Sequence, residues 1–469
     1  MFLWGTATAS YQIEGAVAED GRGVSIWDTF THRSGRVHDG QTGEVTCDHY
    51  HRWPEDIALM ADLGVNSYRF SVAWPRIQPE GRGAVNQAGL DFYDRLTDAL
   101  HERGIVPAAT LYHWDLPQAL EDEGGWLNRE TAYRFAEYAA LVADRLADRI
   151  PVWITLNEPF VHMVYGYALG NHAPGRSLLL DALPVAHHQL LGHGLAVRAL
   201  RERGAERVLI TNNCTPVWPA SDDPADLAAA DAYDTLHNRL FNDPVLLGTY
   251  PDLSAYGIAP VPSRNSTLPS APADHVRNSD LNASPDRARD GAPVSFLDCV
   301  LEGDLDIIAT PVDGLGINYY NPTRIAAPTA EGLPFTDTGI TGHPVTGFGW
   351  PVVPDGLREL LTGLKARYGD ALPPVYVTEN GCSHPDLPGP DGVVDDQARI
   401  AYLDGHIEAL ERARAQGVDV RGYYVWSLLD NFEWAEGFTQ RFGLVHVDFP
   451  TGKRTPKASY HWLRNRITK

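Results

Sequence analysis

Eight stretches rich in β-branched, aliphatic and aromatic residues, set apart by segments of helical spacing, confine this chain to a small set of folds. The first runs from Phe2 to Ser10, the second from Asn66 to Trp74 and the third from Val106 to Trp114. The fourth begins at Val152, the fifth is RVLITNNC near 207, and the sixth, DGLGINYY, ends at Tyr320. The seventh starts at Val375 and the eighth, RGYYVWSLLDN, at 421. Their composition is that of strands covered on both faces. Between them, DIALMADLG ends at Gly64 as a helix with a C-terminal glycine would. Phe92, Leu96 and Leu100 share a helix face ahead of Gly104, as do Phe135, Ala139, Val142 and Leu146, and Ile400, Leu403, Ile407 and Leu410. This alternation predicts an α/β fold, a single (β/α)8 TIM barrel over residues 1–469, with long βα loops forming the active-site mouth. A doubly wound open sheet is the competing architecture, but no GxGxxG follows the first strand.

Two of these strands end in one grammar. In VWITLNEP, Val152 to Leu156 are strand-forming, Asn157 and Glu158 sit at the break, and Pro159 stops the hydrogen-bond ladder. In VYVTENG, Val375 to Thr378 make the strand, Glu379 follows, and Gly381 breaks it. Chemistry in a parallel barrel gathers at the C-terminal strand ends, so Glu158 and Glu379 are candidates for one shared site. Either glutamate alone would read equally as a solvated carboxylate.

The net charge of −23 argues against nucleic acid or an anionic membrane as partner, because both need clustered Lys and Arg, and favours a neutral ligand. The 12 Trp and 20 Tyr are many; most read as core and barrel filler, and stacking on sugar C–H surfaces is one use for the rest. Cys47, Cys214, Cys299 and Cys382 form no CxxC pair, so neither a zinc site nor a disulfide framework is indicated, and a reducing cytoplasm fits. No apolar run reaches the length of a membrane span, and MFLWGTATAS lacks the layout of a signal peptide. The chain opens directly in strand-like sequence, which is expected to leave the start of the first strand uncovered and to lower stability. From 257 to 293 the sequence is rich in Pro, Ser, Ala, Asn and Asp without a period, as in an irregular insertion loop; Asn265 and Asn282 sit there in N-x-S/T triplets. Self-association into a homo-oligomer is left open.

FLWGTATASYQIEG at 2–15, DHYHRWPEDIALM at 48–60, YRFSVAWPRI at 68–77, TLNEP at 155–159, TENG at 378–381 and DNFEWAEGF at 430–438 share an order as well as a content. Together they resemble the retaining β-glycosidases of glycoside hydrolase family 1, in particular bacterial β-glucosidases. The resemblance implies a (β/α)8 barrel that hydrolyses a small-molecule β-glucoside, fucoside or galactoside with net retention and without cofactor or metal. Retention requires two carboxyls about 5 Å apart, one protonated for the leaving group and one ionised to attack the anomeric carbon.

By resemblance, Glu158 is the acid/base and Glu379 the nucleophile. Arg69, in YRFS at the end of the second strand, looks like the arginine that keeps the nucleophile ionised, leaving Glu158 with the higher pKa. Tyr320 resembles the tyrosine that touches the nucleophile, with Asn318 beside it. Gln12, His113, Asn157 and Glu433 match positions that hydrogen-bond the non-reducing sugar, and Trp114 joins them in the substrate-binding set. Asn157 is assigned the 2-hydroxyl, a contact that strengthens in the oxocarbenium-like transition state. Trp426 and Trp434 match the aromatic contacts, Phe442 a wall of the same pocket, and Trp350 the stacking surface for the second sugar or an aryl group. Phe160 stands where many relatives carry tryptophan, and Tyr165, Leu169 and His172 are mouth candidates. Glu433 and Glu436 would repel a phosphorylated sugar.

Asp48, His49 and His51 fall on alternate or neighbouring positions of what reads as an extended segment, and a structural role is favoured over a metal site. His187 and His188, adjacent on a helix, are not expected to share a ligand. Three readings compete with glucoside hydrolysis: β-galactosidase or β-fucosidase preference, glycosyl transfer to an alcohol, and a non-catalytic glycan-binding barrel. The two retained carboxylates argue against the last.

Overall fold

The computed structural model describes residues 1–261, 295–329 and 332–468. Eight strands form a closed parallel barrel: β1 (Leu3–Ala7), β2 (Ser67–Ser71), β3 (Val106–Tyr112), β4 (Val152–Asn157), β5 (Val208–Asn213), β6 (Gly314–Asn318), β7 (Val375–Asn380) and β8 (Val420–Trp426). They follow one another around the barrel in chain order, and β1 pairs with β8 to close it. Almost every strand residue is buried, which is why the strands show as near-continuous apolar runs. The strands are shorter than their apolar runs suggest. Thr8–Ser10 and Val72–Trp74 lie beyond the strands, with Ser10 and Trp74 opening short helices, although they remain buried.

Helices coat the barrel: α1 (His49–Leu63), α2 (Gln87–Glu102), α3 (Glu130–Leu146), α4 (Leu183–Glu202), α5 (Pro224–Asp234), α6 (Leu240–Leu247), α7 (Pro354–Tyr368), α8 (Gln397–Ala415) and α9 (Ala458–Ile467). One core lies between barrel and helices, with Phe92, Leu96, Leu100, Phe135, Val142 and Leu403 among its members. A second fills the barrel itself, from Leu3, Ala108, Val152, Ile154, Leu209, Tyr376 and Tyr424. Gly64 ends α1 in the left-handed conformation, φ 84°, where a side chain would be strained.

Two expectations change. Asp48 to His51 is no extended segment: Asp48 turns into the left-handed region, φ 54°, and α1 starts at His49. His49 pairs with Asp56, itself held by Arg454, and His51 pairs with Asp48 and Glu19, so the two imidazoles serve different partners. The start of β1 is covered after all. Phe2 packs on Trp4 at 4.8 Å and under the Arg414 guanidinium at 4.8 Å, and Asn66 donates to its carbonyl. The proposed loop at 257–293, with Asn265 and Asn282, lies outside the described residues from 262 onward. His187 and His188 do bond apart, His187 to Tyr250 and Asp304 and His188 to the Trp126 carbonyl.

Candidate active site

Strand register assembles the centre. Asn213 of β5 is level with Asn318 of β6, which is level with Glu379 of β7. The ladder slips between Val377 and Glu379 on β7 and between Ile154 and Asn157 on β4, just ahead of both acids. Such irregularities re-aim side chains at the rim of a barrel. Glu158 follows β4 with φ 46°, a left-handed conformation that turns it inward and costs backbone strain typical of functional positions. Glu379 lies inside β7 instead of just beyond it, and Gly381 follows because a Cβ there would meet the Trp426 carbonyl oxygen at 1.8 Å.

The two carboxyls are 5% and 3% exposed, and Asn318 serves as a shared neighbour. Glu379 Oε1 accepts from Arg69 Nη1 at 2.6 Å, and its Oε2 accepts from the Tyr320 hydroxyl at 2.7 Å. Arg69 is mid-strand in β2, not at its end, and reaches across the barrel to donate also to Asn157 Oδ1 at 2.5 Å. Glu158 Oε1 accepts from Asn318 Nδ2 at 2.8 Å and Asn213 Nδ2 at 3.0 Å, both neutral amides. Burial pushes Glu158 up to about 8, with the charge of Glu379 adding to it and the two amides opposing. Burial raises Glu379 as well, but the guanidinium and the phenol work against that. Only one of the pair carries a cation in contact, so Glu379 ionises first and Glu158 keeps its proton.

The residues expected to hold the sugar lie beside this pair. Asn157 Oδ1 accepts from Arg69 and Asn318, so its Nδ2 faces His113 Nε2 at 3.0 Å. His113 is held neutral by burial, with Arg69 adding to the effect, and its Nδ1 has no partner. That leaves an N–H for a ligand hydroxyl. Gln12 donates to the Phe432 carbonyl at 2.8 Å and lies 3.5 Å from Glu433, while its Oε1 is also buried without a partner. Glu433 is pushed up to about 8, first by burial and then by Glu379, Glu158 and Glu436, against a hydrogen bond from Trp426. Trp114 donates to the Asn157 carbonyl and packs on Trp434 at 4.7 Å; His113 stacks near Trp426 and Trp434, both at 5.8 Å. Trp350, Phe348 and Phe442 form a second aromatic group beside Tyr320.

A cavity of about 640 Å³ opens over both carboxyls. His113, Trp114, Tyr320, Trp350, Trp426, Glu433, Trp434 and Phe442 line it, and Gln12, Arg69, Asn157 and Asn318 are buried in contact with Glu433, Glu379, His113 and Glu158 respectively. Tyr165, Leu169 and His172 line it as well, the first two of them exposed. Asn213, Tyr233 and His237 also line it, and sequence reasoning missed all three. The only signal for Asn213 was its place at the end of the fifth strand run.

Glu158, Glu379 and Glu433, buried with raised pKa values, weigh on stability in a defined pH window. A carboxyl whose folded pKa lies above its unfolded value disfavours the folded state as pH rises from about 4.5 toward 8. Glu433→Gln is therefore expected to melt about 2 °C or more above the parent at pH 8 and to match it near pH 4.5. Thermal melts at the two pH values check this; an equal difference at both would remove the charge as the cause.

The sequence model of Glycosyl hydrolase family 1 matches residues 1–469. Beta-glucosidase A of Acetivibrio thermocellus is 43% identical over 469 residues, covering 99% of this chain and 97% of its own. A bifunctional β-D-glucosidase/β-D-fucosidase of Bifidobacterium breve is also 43% identical, with 99% and 97% covered. The solved family 1 β-glucosidase of Thermotoga maritima aligns with a TM-score of 0.88 at 42% identity, over 100% of this chain and 97% of that one.

Proposed function

The chain belongs to glycosyl hydrolase family 1, and on that premise we propose that it is a retaining β-glucosidase acting on terminal non-reducing β-D-glucosyl residues. The observation that carries the reading is the pair of buried carboxyls with unequal support, Glu379 on Arg69 and Tyr320, Glu158 on two amides. Ionised Glu379 attacks the anomeric carbon as the bond to the leaving oxygen breaks, and Glu158 gives that oxygen its proton. Arg69 and Tyr320 hold the attacking carboxylate in line. In the second step water attacks the same carbon, Glu158 takes the water's proton, and Glu379 departs as carboxylate.

Gln12, His113 and Glu433 fix the sugar hydroxyls, and Asn157 spends its remaining N–H on the 2-hydroxyl. Trp426 and Trp434 floor the ring. The outer cavity is mostly apolar, with Leu169, Leu179, Leu333, Phe348 and Trp350 on its walls, and Leu179 is 67% exposed. Aryl and alkyl aglycones suit such walls better than a second hydrated sugar. An aryl β-glucoside is expected to give a kcat/KM about tenfold or more above that of cellobiose. A panel of aryl β-glycosides with cellobiose alongside tests this, and faster cellobiose cleavage would overturn the aglycone assignment. The same panel tests the second reading, β-fucosidase activity, which the bifunctional relative favours.

A further inference from the structure

Behind Glu158 runs a hydrogen-bonded chain that the two-carboxylate scheme does not use. The Tyr233 hydroxyl lies 3.1 Å from His237 Nδ1, His237 Nε2 lies 2.9 Å from Asn213 Oδ1, and Asn213 Nδ2 donates to Glu158 Oε1 at 3.0 Å. The polarity of this chain is fixed from its catalytic end. In its base form Glu158 is ionised and can only accept, so Asn213 must then offer its Nδ2; its Oδ1 needs a donor, which is His237 Nε2–H. His237 Nδ1 is left as the acceptor for the Tyr233 hydroxyl. The imidazole is 7% exposed and lies over the Phe160 ring, centroids 3.9 Å apart at 27°, two residues beyond Glu158 on the same turn. Burial takes its pKa down to about 3, so it is neutral and has one defined tautomer to give.

We propose that His237 is a positioning residue for the acid/base: clamped by Phe160 and Tyr233, it locks the Asn213 amide so that only an N–H faces Glu158. Without the clamp the amide is free to turn. It would then present its oxygen, which favours the protonated carboxyl, or leave Glu158 altogether; either change raises the Glu158 pKa. The other titratable and charged groups facing Glu158 are Glu379, Arg69, Glu433, Tyr320, Tyr165 and Cys214. None of these belongs to the clamp, so a substitution at His237 leaves them in place. His237 sits on a π-helical turn, Thr235–Arg239, just after α5, which puts its ring within reach of β5. The proposal rests on Glu158 being the acid/base.

The test is the pH profile of kcat/KM together with its dependence on the leaving group, in His237→Leu, His237→Gln and Tyr233→Phe. His237→Leu is expected to move the basic limb up by about half a pH unit or more. It should also lower kcat/KM about tenfold for an alkyl glucoside, which needs the acid, and less than about twofold for dinitrophenyl glucoside, which does not. His237→Gln can donate to Asn213 and accept from Tyr233, and should recover most of both losses. Tyr233→Phe frees the tautomer and should shift the limb in the same direction by less. A folded His237→Leu enzyme with the parental limb and leaving-group dependence overturns the proposal. Should that variant fail to fold, a parental limb in Tyr233→Phe overturns it. If Glu158→Ala in the parent spares alkyl glucoside hydrolysis, the acid/base reading itself fails and takes the clamp with it; if Glu158→Ala is impaired and His237→Leu is not, only the clamp fails.

Discussion

Glu379→Gln is expected to lower kcat on an aryl β-glucoside about 10⁴-fold or more, because the neutral amide cannot form the glycosyl ester on which both steps depend. The substitution keeps the side-chain volume, so packing around Tyr320 survives, and the fall reports on chemistry. Arg69 loses its carboxylate partner but keeps Asn157 Oδ1 and the Thr378 carbonyl. Glu158 should respond too. The charge of Glu379 is the second cause of its raised pKa, after burial, so removing that charge should bring Glu158 down from about 8. Intact mass after treatment with a 2-deoxy-2-fluoro-glucoside of good leaving group separates the outcomes. The parent should gain one glycosyl unit and the variant none. Near-parental turnover by Glu379→Gln would remove it as nucleophile.

The barrel was legible because strands buried on both faces have to be apolar almost throughout, so β4 and β7 announce themselves and their terminal acids with them. Strand ends were less legible for the same reason. Thr8–Ser10 and Val72–Trp74 stay buried after the ladder stops, and composition registers burial, not hydrogen bonding. Arg69 shows a related limit: its apolar neighbours mark a strand, but nothing in YRFS says that the guanidinium crosses the barrel from mid-strand to Glu379. Asp48 was misread because a left-handed residue ahead of a helix leaves no periodic trace. His237 was invisible for a different reason. It sits on a π-helical turn, where the spacing of 3.6 that marks helix faces does not hold, and its partners Tyr233 and Asn213, with Glu158 beyond Asn213, come from three separate elements.

Glu158→Ala is expected to split substrates by leaving group. An alkyl β-glucoside, whose oxygen must be protonated as it departs, should lose about 10³-fold or more in kcat/KM, whereas dinitrophenyl glucoside should still glycosylate Glu379 at close to the parental rate. Water then has no base, so the glycosyl-enzyme accumulates and turnover stalls. Azide needs no deprotonation and fits the space the carboxyl leaves. It should restore turnover about tenfold or more and yield a β-glycosyl azide, since the ester on Glu379 is α-linked and its displacement inverts the carbon a second time. An α-azide would overturn retention, and no rescue at all would point to a different base. The intact enzyme performs both roles because its acid is tuned by its partner's charge. While Glu379 is ionised, Glu158 holds its proton with a pKa of about 8; once Glu379 is esterified that charge is gone, the pKa falls, and the carboxylate is ready to accept a proton from water. The two amides from Asn213 and Asn318 stabilise the ionised form, so they ease proton release to the leaving oxygen in the first step and hold Glu158 as the carboxylate from which the second step starts.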